Sequence, residues 1–414
     1  MAGYAARTHP SEGTAQDLHA KALALDDGEG TRLVLVTMDL LGFRAEWVDG
    51  IAERVSRKSG LRREHILFNA SHTHAGPALD GVLEIAYTLT ADQKSEISRY
   101  TSRLADSVET LILEALSKME PARLSFGFTD AFFAVNRRVP AESGYVIGAN
   151  RLGPVDHRVP VLVVDTDRGQ LKAVVFGYSC HNTTLQGDNY HFHGDYAGVA
   201  QAWLEQRHPG ATAHFVTGTA GDANPYPRGT LALAVEHGET LGRVVDRALT
   251  GPLQPVSGRL QAAFERTVLR FQEPPSREEF ERRVGGDNVY LKRHALHFLE
   301  RIRTEGAISR DYPYLVQVWA IGDRLRLVAL AGEVVVDYGL RLRSELGRQE
   351  LWVAGYSNDV TAYIPSARVL SEGGYEAAES MIYYGQPASF EASVEERIAG
   401  LVRTLLRRVE QGGE

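Results

Sequence analysis

The sequence predicts an α/β fold, a mixed central β-sheet flanked by helices, in a single large domain spanning residues 1–414. Three observations predict it. Short apolar runs of strand length alternate with longer amphipathic runs at helical spacing. Several of the apolar runs pair around Gly- and Asp-rich turns, as hairpins do. No repeat, low-complexity linker or domain boundary divides the chain, and 414 residues are enough to bury a sizeable core.

In chain order, Lys21–Leu25 and Arg32–Met38 flank Asp26-Asp27-Gly28-Glu29-Gly30 as a first hairpin. Asp39 ends its second arm, where the carboxylate either orients a ligand histidine or caps the loop. Glu46–Ser59 spaces Trp47, Ile51 and Val55 as a helix does, and Gly60 closes it. His65-Ile66-Leu67-Phe68 is a short buried strand. Ala91–Met119 is long, periodic and charged on one face, a surface helix covering a sheet. Leu124–Val135 reads as one strand, and Val159–Asp165 with Leu171–Tyr178 as a second hairpin. Val199–Arg207 reads as a helix with Asp195 placed as its N-cap. Thr212–Gly218 is a buried strand and Ala232–Leu249 a helix. Beyond Pro255 come a strand at Arg259–Phe271, a charged helix at Ser276–Thr304, and a third hairpin of Tyr314–Ile321 and Leu325–Leu330. Glu333 opens a helix that runs to about Leu346, its carboxylate suited to the helix dipole. Leu351–Tyr356 is a last strand, and Ser389–Glu410 a closing amphipathic helix.

Composition narrows the function. A net charge of −8 argues against a nucleic-acid partner, which needs clustered Lys and Arg. The single cysteine, Cys180, rules out an internal disulfide and a multi-cysteine zinc site; beside a strand it is a packing residue. No apolar run is long enough for a transmembrane helix, which leaves at most peripheral membrane contact. No apolar stretch near Met1 suits a signal peptide, so the chain as written is expected in the cytoplasm. Gly3-Tyr4 follows the start so abruptly that the N-terminal edge reads as truncated, and a longer natural N-terminus would allow secretion. Oligomeric state is not legible.

Four strand ends carry a polar group fit for one pocket. His72 and His74, in Asn69-Ala70-Ser71-His72-Thr73-His74-Ala75-Gly76-Pro77, are one residue apart, so an extended backbone sends both imidazoles to the same face. His181 follows the Leu171–Tyr178 strand. The Gly221-Asp222-Ala223-Asn224-Pro225 loop follows Thr212–Gly218, where small residues either bring free N–H groups to a ligand or simply turn the chain. Glu333 follows the third hairpin. Imidazoles and a carboxylate suit zinc, and strand ends in α/β sheets are where ligands bind. Arg137 is either a substrate clamp or, by base rate, a solvated loop cation. A second pair, His191 and His193, lacks a preceding buried strand and ranks lower.

On these residues the sequence resembles the catalytic domain of the neutral/alkaline non-lysosomal ceramidase family. The resemblance lies in Asn69–Pro77, Cys180–Thr184, Gly221–Pro225, Gly332-Glu333, Tyr363 and Tyr375-Glu376, in family order from about residue 3 to 380. It implies a zinc ion (Zn2+) on His72, His181, Glu333 and Tyr363, with His74 as a second imidazole near the substrate carbonyl. Arg137 and Tyr375 would lie beside the reacting group. Asp222 would orient a ligand histidine.

Two departures from the family qualify this. Asn224 stands where the family has serine, so the hydroxyl proposed there as nucleophile or water-orienting group is replaced by an amide that can only donate to an oxyanion or accept. The chain as written, ending at Glu414, is also expected to lack the family's C-terminal β-sandwich. The resemblance thus implies a zinc-dependent amidohydrolase acting on an N-acyl, ceramide-like lipid through activated water. The rivals are an amidase or esterase on a smaller, non-lipid substrate, and a zinc- or lipid-binding relative with weakened catalysis.

Overall fold

The computed structural model describes residues 1–142, 144–347 and 350–411. The expected end of the domain, Glu414, lies outside them. Three sheets carry the architecture, each with strands long enough to bury an alternating apolar face. Ala20–Asp26, Arg32–Met38 and Ile66–Ala70 form the first, antiparallel then parallel. The second has five strands in the order Thr212–Thr217, Leu171–Tyr178, Arg158–Thr166, Ala122–Asp130 and Gln254–Val256. The third orders Leu260–Arg270, Asp311–Ile321, Leu325–Leu330 and Leu351–Ala354.

The inner faces of all three meet in one apolar interior. Leu35 and Leu67 come from the first sheet, Phe126, Leu162 and Val216 from the second, Trp319, Leu327 and Trp352 from the third. Outside, helices cover each sheet, as a half-apolar sheet face requires. Ala45–Ser59 and Ala91–Ser117 cover the first, Asp195–Arg207 and Leu231–Leu249 the second, Val336–Leu346 and Val394–Glu410 the third. Among the described residues no helix is long and apolar enough to cross a membrane.

Each sheet contains one parallel pair: Arg32–Met38 with Ile66–Ala70, Leu171–Tyr178 with Thr212–Thr217, and Leu325–Leu330 with Leu351–Ala354. Their C-terminal ends are stitched together by single bridges, Asn69 to Ser357, Thr73 to Asn182 and Gly218 to Ala354. Asn69 reinforces the junction, its side chain donating to Gly355 O and Ser357 Oγ and accepting from the Thr217 N–H.

Four expectations are corrected. Leu124–Val135 is two strands, Ala122–Asp130 and Ala134–Ala141, in different sheets. Ala131 and Phe133 are buried at the break, so apolar content alone concealed it. Ser276–Thr304 is two helices, Arg277–Val284 and Val289–Glu305, parted at Gly285-Gly286, where two consecutive glycines weaken a helix interior. Glu333 does not open a helix. It sits with Val334 in a two-residue strand beside Tyr363-Ile364, and the helix starts at Val336. Asp195 is the first helical residue rather than the cap, with Gly194 before it, and its carboxylate takes the Leu185 and Tyr196 N–H groups.

Candidate metal centre

His72 lies two residues past the Ile66–Ala70 strand, in the left-handed region at φ 61°. The two imidazoles of the first motif therefore do not share a face of an extended chain. They converge because the backbone turns: Nε2 of His74 lies 3.1 Å from Nε2 of His72. His72 N–H donates to Leu40 O, and Nδ1 lies 2.5 Å from Leu41 O. His181 is fixed the same way, with Nδ1 2.7 Å from Ala220 O. A carbonyl only accepts, so both rings carry their proton on Nδ1 and turn an Nε2 lone pair inward.

Those lone pairs meet a carboxylate. Glu333 Oε2 is 3.1 Å from His72 Nε2 and 2.9 Å from His181 Nε2, and the Tyr363 hydroxyl is 3.2 Å from His181 Nε2. All four side chains are buried. Burial and the neighbouring Arg137 charge hold the His181 pKa down at about 4. Burial, with His72 and His181, holds His74 well below the usual histidine range. Two imidazole Nε2 lone pairs and a carboxylate oxygen converge on one point, an arrangement suited to a bound cation. Donors about 2.0–2.1 Å from one tetrahedral ion stand about 3.4 Å apart, close to the spacing here. His72, His74 and His181 alone also form a group able to hold a metal, with ligand atoms within 4.8 Å of one another.

Arg137 is buried, which excludes the solvated-loop reading. Its Nε donates to Glu376 Oε1 at 2.7 Å and its Nη2 to the Tyr363 hydroxyl at 2.9 Å, while Nη1 lies 3.3 Å from His181 Nε2. Tyr375 packs against it, ring centroid 5.5 Å from the guanidinium and 5.4 Å from the Tyr363 ring. Burial pushes the Tyr363 phenol well above its usual pKa, against the pull of Arg137.

Asp222 is nearby but does another job. Its carboxylate accepts from Asn136 Nδ2 and from the Val336 N–H, capping the helix that follows Glu333. Both ligand-type histidines are oriented by carbonyls, so the expectation that Asp222 orients one is corrected. Asp39, likewise, accepts from the His19 N–H and from Gln201, the loop-capping alternative. Asn224 is buried on Ala223–Pro225, its Oδ1 accepting from the Thr183 hydroxyl at 3.1 Å. Cys180 is core packing beside Tyr178 and Tyr196, its thiol pushed well up by burial. His193 Nδ1 accepts the Asp195 N–H, a structural bond.

Sequence reasoning missed three groups, two at Glu333 and one at Glu376. The Tyr384 hydroxyl donates to Glu333 Oε1, and the Tyr356 hydroxyl lies 3.4 Å from Glu333 Oε2. Arg138 joins Glu376 from the side opposite Arg137, Nη1 to Oε2 at 2.5 Å. Tyr384 carries no strand-end pattern, and Tyr356, which closes the expected Leu351–Tyr356 strand, has no motif linking it to Glu333. For Arg138 the one signal was its place beside Arg137.

Buried imidazoles, a carboxylate and a phenol gathered at the ends of parallel strands define an α/β protein with a donor set able to hold a divalent metal. The chain belongs to the neutral/alkaline non-lysosomal ceramidase family, whose N-terminal domain model matches residues 1–236. Neutral ceramidase A of Dictyostelium discoideum is 26% identical over 250 residues, covering 55% of this chain and 34% of that protein, so the match spans about a third of the relative's length. The fold superposes on a ceramidase complexed with C2 at a TM-score of 0.76, with 17% identity, covering 100% of this chain and 73% of that one. It superposes on the neutral ceramidase of Pseudomonas aeruginosa at 0.73, with 18% identity, covering 99% and 71%. At such identities these two likenesses speak for the fold.

Proposed function

We propose that the protein hydrolyses the amide bond of an N-acyl, ceramide-like lipid, using zinc held by His72, His181, Glu333 and Tyr363. The observation that carries this reading is the meeting of two imidazole lone pairs with Glu333 Oε2, each within 3.1 Å. Family membership supplies the class of bond. When bound, zinc supplies Lewis acidity and nucleophilic water at neutral pH.

The chain's own residues do the rest. His74, neutral and with an unpartnered Nδ1, accepts a proton and passes it to the leaving amine. Arg137, held by Glu376 and backed by Tyr375, presents a fixed positive charge to the oxygen that gains charge as the carbonyl is attacked. The Asn224 carbonyl oxygen is taken up by Thr183, which leaves its amide hydrogens as donors to the same oxygen. An activated water needs no serine, so the Asn224 substitution bears on rate more than on reaction class.

Metal analysis of the purified protein, joined to hydrolysis of N-acyl compounds from short soluble amides to ceramide, tests the reading. Wild type should contain zinc and turn over at least one lipid amide. His72→Ala should lose both, and His74→Ala should keep the metal while losing about 100- to 1000-fold in rate. A His72→Ala protein equal to wild type in both measurements would overturn the site assignment.

A further inference from the structure

Exposed apolar residues are unevenly placed. Of the ten large hydrophobic side chains exposed among the described residues, seven lie in two stretches, 132–152 and 226–235. The first is the hairpin of Ala134–Ala141 and Gly144–Asn150 with its flanks, and Val146 and Ile147 stand on opposite faces of its outer strand, 52% and 47% exposed. Leu152, just beyond, is 98% exposed, and Phe132, just before, 72%. Tyr226 opens the second stretch at 43% and meets the first through Arg151, whose guanidinium lies 5.2 Å from the ring centroid.

Two paired strands connect this region to the metal centre. The hairpin's inner strand carries Arg137 into the centre, and Ala223–Pro225, which carries Asn224, pairs with that strand and leads directly to Tyr226. It also differs in charge from the rest of the chain. Residues 144–155 and 223–235 contain Arg151 and Arg228 and no carboxylate, in a protein of net charge −8, and the hairpin's turn adds one exposed carboxylate, Glu142. Apolar tips projecting from both sides of a hairpin, an interfacial tyrosine and two cations against a single carboxylate match the layered chemistry of a phospholipid surface, with acyl chains below and phosphates above. Clustered exposed apolar side chains rimmed in this way mark an interaction site.

We propose that the hairpin and the adjoining turn at Tyr226 dock the protein on a phospholipid bilayer, so that the substrate passes from the lipid phase to the metal centre. This rests on the reading of the substrate as an N-acyl lipid. The test is co-sedimentation of the purified protein with phosphatidylcholine vesicles, comparing wild type with V146E/I147E/L152E and with the single change L152E at the most exposed position. Wild type should pellet with the vesicles. The triple variant should lose about tenfold or more in partitioning and L152E part of that, in line with the loss of a few inserted apolar side chains. Zinc content and turnover of a short, water-soluble N-acyl substrate should stay at the wild-type level, while hydrolysis of the vesicle-embedded substrate falls with the partitioning. A wild type that stays in the supernatant, variants that pellet like wild type, or a dimer that the triple variant dissolves would each overturn the proposal. If no amide is hydrolysed at all, the reading of function fails while sedimentation still decides the docking.

Discussion

Glu333 divides its two oxygens between two tasks. Oε2 faces the imidazoles, and Oε1 accepts a hydrogen bond from the half-buried Tyr384 hydroxyl. Tyr384 thereby fixes which oxygen is free to meet a cation. Tyr384→Phe should leave the fold intact and weaken metal affinity about 10- to 100-fold, the usual cost of removing a partner that orients a ligand, as read by competition with a chromophoric chelator. A different buried residue sets a pH response. His214 is held neutral, its pKa pushed down to about 3 by burial and by Lys21. Its folded-state pKa is depressed, so its share of stability is whole above about pH 6.5 and is lost as pH falls toward 3. Asp222 and Asp359, raised by burial to about 6, act in the opposite direction and gain stability as pH falls from about 6 to 4. The comparison that isolates His214 is His214→Gln, whose melting temperature should fall less between pH 7 and 4 than that of wild type. At this scale His72 and His181 were legible, because a polar residue directly after an apolar strand announces itself. Tyr384 and Tyr356 were not, because their roles exist only through proximity to a carboxylate elsewhere in the chain.

The two-residue ladder between Glu333-Val334 and Tyr363-Ile364 is short, but it places two of the four proposed ligands side by side. It is possible because Gly332 adopts φ 79° and lets the chain pass close to its neighbour. A Cβ there would come within 2.6 Å of Ile364 Cγ1 and 2.8 Å of Ala362 O. Gly332→Ala should therefore cost on the order of 1–3 kcal/mol and, by displacing Glu333, should also reduce bound zinc, measured by thermal melting and metal analysis on the same sample. The hairpins, the first surface helix and the closing helix were readable from apolar periodicity. The start of the helix after Glu333 was not. A carboxylate before a helical pattern looks like a first-turn residue, and only the Asp222 side chain reaching the Val336 N–H shows where the helix begins.

Across the whole molecule, three sheets share one interior and bring the C-terminal ends of their parallel pairs to a common junction. The proposed ligands come from His72 near the first sheet, His181 after the second, and Glu333 and Tyr363 after strands of the third. An ion held by the proposed ligands would tie the three together, so removing it should loosen the entire fold. Dialysis against a strong chelator should lower the melting temperature of wild type, with zinc at about 1,000 times its dissociation constant contributing about 4 kcal/mol. His72→Ala should melt at the same temperature with or without chelator. Equal melting curves for wild type in both conditions would remove the metal from the account of stability.

The sequence by itself determined the apolar strands, most of the helices, and which polar residues stand at strand ends, because these follow from local periodicity and from turn chemistry. It also carried, through motifs in a fixed order, the family to which the chain belongs. Only the tertiary structure decided that Arg137 is buried against Glu376, that Asp222 caps a helix instead of orienting an imidazole, and that His72 and His74 converge through a left-handed turn. The physical reason is common to all three. Burial, hydrogen-bond partnership and lone-pair direction belong to pairs of residues far apart in the chain, and no window of sequence contains both members of the pair.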